Sequence, residues 1–148
     1  MSGPRAERFV IFNLRLMALG FAVVGALFII TPDGVLDSIT DLGESLGGGF
    51  SPAPPTTEKF WLALGFAYMV VIAGIALVAQ ADPVRYRRLI MVLVAGKAAS
   101  SLAALGFYLF DDDVFMYLVN FIVDGLLTAS ALLLWSLAGR VGEPQAPA

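Results

Sequence analysis

The sequence predicts an all-α integral membrane protein, a four-transmembrane-helix antiparallel bundle, and three observations carry that prediction. Of the 148 residues, 59% are hydrophobic and the mean hydropathy is +0.85, where a soluble domain is nearer half apolar and a quarter charged. The charged residues, only 14%, are confined almost entirely to the gaps between long apolar runs. Four of those runs reach the roughly 20 residues that a helix needs to cross the hydrocarbon core. Backbone polar groups in lipid must be bonded within their own segment, so the runs are helices; none alternates with period two.

The first span covers about 9–30. It is too long for a signal-peptide core and no A-x-A site follows it, so it is expected to be retained. The outer loop 31–59 comes next. Within it Val35, Leu36, Ile39, Leu42 and Leu46 recur at helical spacing, with Asp37, Asp41 and Glu44 opposite. This pattern predicts a short amphipathic helix lying on the outer membrane surface. Gly47-Gly48-Gly49 and Ser51-Pro52-Ala53-Pro54-Pro55 end it. The second span covers about 60–80. A short connection follows, in which Asp82 and Pro83 read as N-cap and N1 of the next helix. The third span, about 89–110, and the fourth, about 114–137, are joined by a tight turn at Asp111-Asp112-Asp113. Spans two, three and four are therefore expected to be consecutive antiparallel neighbours. Residues 1–140 read as a single membrane domain and 141–148 as a disordered Pro- and Ala-rich tail.

Arginine placement orients the chain. Arg5, Arg8 and Arg15, then Arg85, Arg87 and Arg88, then Arg140 all fall on one side if the spans alternate. The opposite side holds Lys59 alone against Asp33, Asp37, Asp41, Glu44, Glu58 and Asp111 to Asp113. Both termini are thus expected on the cytoplasmic side of a bacterial inner membrane. Trp61, Tyr108, Phe115 and Tyr117 would mark the outer interface, Tyr86 and Trp135 the inner one. Nine of the twelve residues from Ala95 to Gly106 are Gly, Ala or Ser. Small residues let helix backbones approach closely in lipid, so the third span is expected at the centre of the bundle, with Gly20, Gly25, Gly65 and Gly74 serving the same end.

Two ionisable residues lie deep within spans, where a charge costs roughly 2.5–3.5 kcal/mol on insertion scales. Lys97 shares a face of the third span with Ser101, and Asp124 shares a face of the fourth with Asn120 and Thr128. Folding the hairpin at the three aspartates sets Ser101 level with Asp124 and Lys97 level with Thr128. A lysine stem can bridge the offset of about one turn, ~6 Å. The two side chains lean apart toward their helix N-termini, however. A direct pair stays open beside separate partners, among which Tyr68 of the second span is at a depth to donate to Asp124. These six residues, Tyr68, Lys97, Ser101, Asn120, Asp124 and Thr128, form the candidate intramembrane polar cluster. It either fixes helix register or serves an ion, a proton or a polar headgroup. The acidic outer face would attract cations or a basic partner, but a solvated face accounts for it equally, and its spacing is not that of an EF-hand.

Absences narrow the chemistry. The chain has no cysteine and no histidine, which removes disulfides, thiol nucleophiles and the commonest metal and haem ligands. No nucleophile–base pair is visible, no metal site or cofactor is expected, and no basic patch suggests nucleic acid. The length and four-span layout resemble those of many small bacterial membrane proteins, DoxX-like ones among them; the resemblance is one of layout, and no functional residue follows from it. Three functions are compatible. The first is a non-enzymatic accessory or assembly subunit of a larger membrane complex. The second is a small oligomeric transporter or channel using Lys97 and Asp124, and the third a lipid or quinone binder. Membrane lipids and another integral membrane protein, or a second copy, are the expected partners.

Overall fold

A computed structural model describes residues 3–54 and 56–141, and all regular structure in it is helical. The five helices are α1 (Pro4–Ile30), α2 (Pro32–Ser45), α3 (Lys59–Ala81), α4 (Arg87–Phe110) and α5 (Phe115–Val141). All but α2 are long and apolar enough to cross a membrane. Among the described residues there is no strand; one isolated bridge joins Ser51 to Val114.

Helix ends differ from the sequence reading at the arginine-rich end. There α1 begins at Pro4 and α5 runs on to Val141, beyond the apolar runs at 9 and 137. Pro4 and Pro32 sit in the first turns of α1 and α2, where a missing N–H costs nothing. Asp82 caps differently from expectation. Its carboxylate accepts the Arg85 N–H at 3.0 Å and so closes a turn that precedes α4, which starts only at Arg87. The expected tail 142–148 lies outside the described residues.

The long helices form a bundle-like ring in which α1 lies against α3 and α5, and α4 against α3 and α5. The α1/α3 and α4/α5 pairs are close, the other two contacts sparse. This corrects the expectation that α4 is central, since its backbone does not approach α1. Nine small residues in twelve wrap every side of a 3.6-residue helix, so the run selects no face. Gly96 and Ser101 turn inward, while Ala95, Ala99 and Ala103 are exposed. Of the other glycines expected at close approaches, Gly25 fits, since a Cβ there would meet Met69 Cβ at 3.0 Å. Around Gly20, Gly65 and Gly74 there is open space.

Core packing is concentrated toward one end of the ring. Val10, Leu14 and Met17 of α1 meet Ile72 and Ala76 of α3, Ile90 and Leu93 of α4, and Leu134 and Ala138 of α5. At the same end the Arg87 guanidinium carbon lies over the Trp135 ring, 3.9 Å from its centroid, and Arg87 Nε donates to the Trp135 carbonyl at 2.9 Å. Arg15 donates to Gln80 at 2.8 Å. Outward faces stay apolar along all four long helices, with Phe12, Leu19, Val71, Leu102 and Leu126 each at least half exposed.

Helix α2 follows α1 after the single residue Thr31. The expected amphipathic helix is present, but its inward side packs on protein. Gly43 is buried against the Phe115 ring of α5, so close that a Cβ would come within 2.7 Å of it. Three successive positive-φ glycines, Gly47 to Gly49, then reverse the chain. The return loop is fastened twice. Ser51 donates to the Asp113 carboxylate at 2.6 Å, and the Thr56 hydroxyl and N–H both donate to Asp33. Those bonds hold the exposed Asp33 carboxyl below its ordinary value of 3.8. Two acids of the outer face thus have structural tasks. Asp37, Asp41, Asp111 and Asp112 are exposed, and no group of three acidic residues able to hold a metal occurs among the described residues.

Candidate functional site

The site is built from the middle of α4 upward. Lys97 is ten residues in from Arg87, about 15 Å along the helix, and Asp124 is nine residues in from Phe115, about 14 Å. The Lys97 ammonium lies 3.1 and 3.2 Å from the two Asp124 oxygens, with side-chain exposures of only 2% and 6%. Of the alternatives left open by side-chain lean, the direct pair is the one formed, because the four-carbon lysine stem makes up the one-turn offset.

The ammonium is also flanked by aromatic faces. Its nitrogen is 4.4 Å from the centroid of Phe21 on α1 and 5.2 Å from that of Tyr68 on α3. A ring face is attractive to a cation, the more so out of water. One side chain therefore joins all four long helices, with the salt bridge to α5 and a ring from each of α1 and α3.

Ser101 and Thr128 spend their hydroxyls on backbone, Ser101 on the Phe121 carbonyl and Thr128 on that of Asp124, both at 2.8 Å. Ser101 also lies 3.4 Å from where a Cβ on Gly125 would stand, so α4 and α5 are in close register here. Asn120 reaches Ser100 through one long bond of 3.4 Å. Tyr68 does not donate to Asp124 as expected. Its ring faces Lys97, its oxygen lies over Gly96, and its hydroxyl has no hydrogen-bond partner among the described residues. Lys97, Ser101 and Asn120 thus take part in bonds across the α4/α5 seam, Lys97 to Asp124 itself, while the Thr128 bond stays within α5 and Tyr68 contributes its ring.

Beside the pair lies a cavity of about 610 Å³, walled by α1 on one side and α5 on the other. Leu16, Gly20 and Val24 line it from α1 and Val123 and Ser130 from α5, and all five are exposed on the outside of the ring. The cavity is therefore a cleft open sideways between these two sparsely touching helices. Val35 and Ile39 of α2 close its outer end. Its floor holds the polar groups, namely Asn120, Ser100, Tyr68 and the edge of the Lys97–Asp124 pair.

The sequence reading missed the α1 contribution. Phe21 falls in the same apolar stripe as Leu14 and Met17, and nothing local marks it as the neighbour of a cation. Nor does spacing reveal that α2 caps a cleft, since an apolar stripe reads alike whether it faces lipid or protein. No family model matches the chain, and no curated protein or solved structure matches it.

Proposed function

We propose that this is a multi-pass protein of a bacterial inner membrane, an antiparallel four-helix bundle with both termini cytoplasmic, that binds a lipid or quinone without catalysing a reaction. The positive-inside distribution of its arginines supports the orientation. The fall of the α5 partner from Asp124 at Lys97 to Asn120 and Phe121 at Ser100 and Ser101 supports the antiparallel run of α4 and α5. Apolar outward faces on all four long helices support lipid as the surrounding solvent.

The observation that carries the reading is the sideways-opening cleft. Its volume is in the range of small-molecule sites, and its walls are apolar with a few polar groups converging at one depth. A molecule diffusing in the bilayer would enter between α1 and α5 without leaving hydrocarbon. The test is extraction in mild detergent followed by native mass spectrometry. A retained lipid or quinone at one per chain supports binding; a chain that carries no small molecule counts against it.

A second reading, an accessory or assembly subunit of a larger membrane complex, is favoured by the outward stripe Ala95, Ala99 and Ala103, with open space around Gly106 on the same helix. In lipid such a stripe suits a partner helix. Ala99→Trp would then release a co-purifying protein while leaving the chain folded. The transporter reading is less favoured, because Asp124 is paired with Lys97 rather than left as a lone carboxylate.

A further inference from the structure

We infer that the cleft selects an uncharged head, a hydroxyl or carbonyl on one long apolar chain, and holds that head at mid-membrane depth; the inference rests on the cleft being a ligand site.

Depth is the first argument. The polar groups of the cleft stand about 15 Å from the end of α4, the middle of a hydrocarbon layer some 30 Å thick. A phospholipid keeps its charged head at the interface, so its chains would fill the walls and leave this floor unanswered. A small neutral head pays far less to lie among chains.

Charge is the second argument. Lys97 and Asp124 satisfy each other and sum to zero whichever of them holds the proton. No net charge is left over to bind a carboxylate, phosphate or ammonium, and among the described residues no other ionisable side chain but Tyr68 lines the cleft. Hydrogen-bonding capacity is the third. The Tyr68 hydroxyl is unpartnered, the Asn120 carbonyl oxygen accepts no bond, and its amide makes only the 3.4 Å bond to Ser100, among the described residues. Together they offer two acceptors, the Asn120 carbonyl oxygen and the Tyr68 oxygen, and two donors, the second Asn120 N–H and the Tyr68 O–H, which a hydroxyl or carbonyl can use.

The shape accords with a single chain. From Asn13 to Phe28 the α1 wall of the cleft extends fifteen residues, about 22 Å. Acyl and isoprenoid chains share the required chemistry.

Photo-crosslinking of the full-length protein in phospholipid nanodiscs tests this. The probes are a diazirine-bearing long-chain alcohol, a diazirine-bearing polyprenol, the matching fatty acid at pH 9 and a diazirine-bearing phosphatidylcholine. The inference expects one or both alcohols to label α1 and α5 cleft residues such as Val24 and Val123 in preference to the anionic and zwitterionic probes, and their ratio tells acyl from isoprenoid. Asn120→Leu and Tyr68→Phe should each lower alcohol labelling about fivefold, the net worth of one hydrogen bond, without changing phospholipid labelling. Equal labelling by all probes, insensitive to both substitutions, overturns head selection while leaving the cleft a lipid site. No labelling of cleft residues by any probe overturns both.

Discussion

Removing one member of the Lys97–Asp124 pair should cost far more than removing both. The pair is 2% and 6% exposed in its side chains and each Lys97–oxygen distance is within hydrogen-bonding range. Asp124→Leu would leave an ammonium between two aromatic rings with no anion; Lys97→Met would leave a carboxylate with no cation. Breaking a buried pair costs about 3–5 kcal/mol, which at about 1.4 kcal/mol per decade is roughly a hundred- to a few thousandfold in the unfolding constant. The double variant Lys97→Met/Asp124→Leu keeps the lysine's volume and the aspartate's branching, has the cleft beside Asp124 to take the larger methyl groups, and strands no charge, so its stability should lie within about 1 kcal/mol of the parent or exceed it. The assay is reversible unfolding in mixed dodecyl sulfate micelles, followed by circular dichroism, with the four proteins forming a double-mutant cycle. Single variants that each cost under about 1 kcal/mol, with additive effects in the double, would refute the burial and pairing argument.

Other substitutions probe the parts that shape the cleft. Gly43→Ala sets a methyl within 2.7 Å of the Phe115 ring; it should destabilise the docking of α2 by about 1–3 kcal/mol and speed hydrogen exchange across 32–45. The Asp33 carboxyl is lowered by its Thr56 bonds, so its support of the outer loop is complete above the ordinary value of 3.8 and is lost as pH falls through the lowered one. Limited proteolysis of the loop should therefore accelerate in acid, and Asp33→Asn or Thr56→Val should reproduce that acceleration at neutral pH. Arg87→Lys keeps the charge but loses the guanidinium over the Trp135 ring and the Nε–H bond to its carbonyl. It should lower the thermal midpoint and shift Trp135 fluorescence.

All five helices were legible, α2 from its amphipathic spacing and the four long ones each from a single local property, an apolar run of sufficient length. Their boundaries slipped where that property stops being decisive. At 4–8 the helix continues through polar sequence and at 138–141 through Ala-Gly-Arg-Val, and at Asp82 a capping residue closes a turn instead of the helix it precedes. Lys97 and Asp124 were legible as one cluster because ionisable residues at mid-span are rare and the short Asp111–Asp113 turn fixes the register of α4 against α5, while the lean of their side chains left the direct pair open. The α1 side of the site was not, since the order of helices around the ring depends on side-chain fit among similar apolar faces. Nothing in Phe21 or Gly20 distinguishes a residue facing Lys97 or a cleft from one facing lipid. The stretch 95–106 misled for the related reason that small residues on every side of α4 do not choose which side is packed.

Gly20 offers the most direct test of a ligand in the cleft. It lines the α1 wall, and a Cβ there would meet nothing within 4 Å, so Gly20→Leu narrows the cleft from a position with open space and removes a helix glycine worth up to ~1 kcal/mol. Native mass spectrometry of parent and variant, extracted side by side in mild detergent, is the decisive measurement. The account predicts a small amphiphile bound one per chain in the parent and absent from an equally stable Gly20→Leu protein. The same bound molecule in both, or none in either, would contradict it.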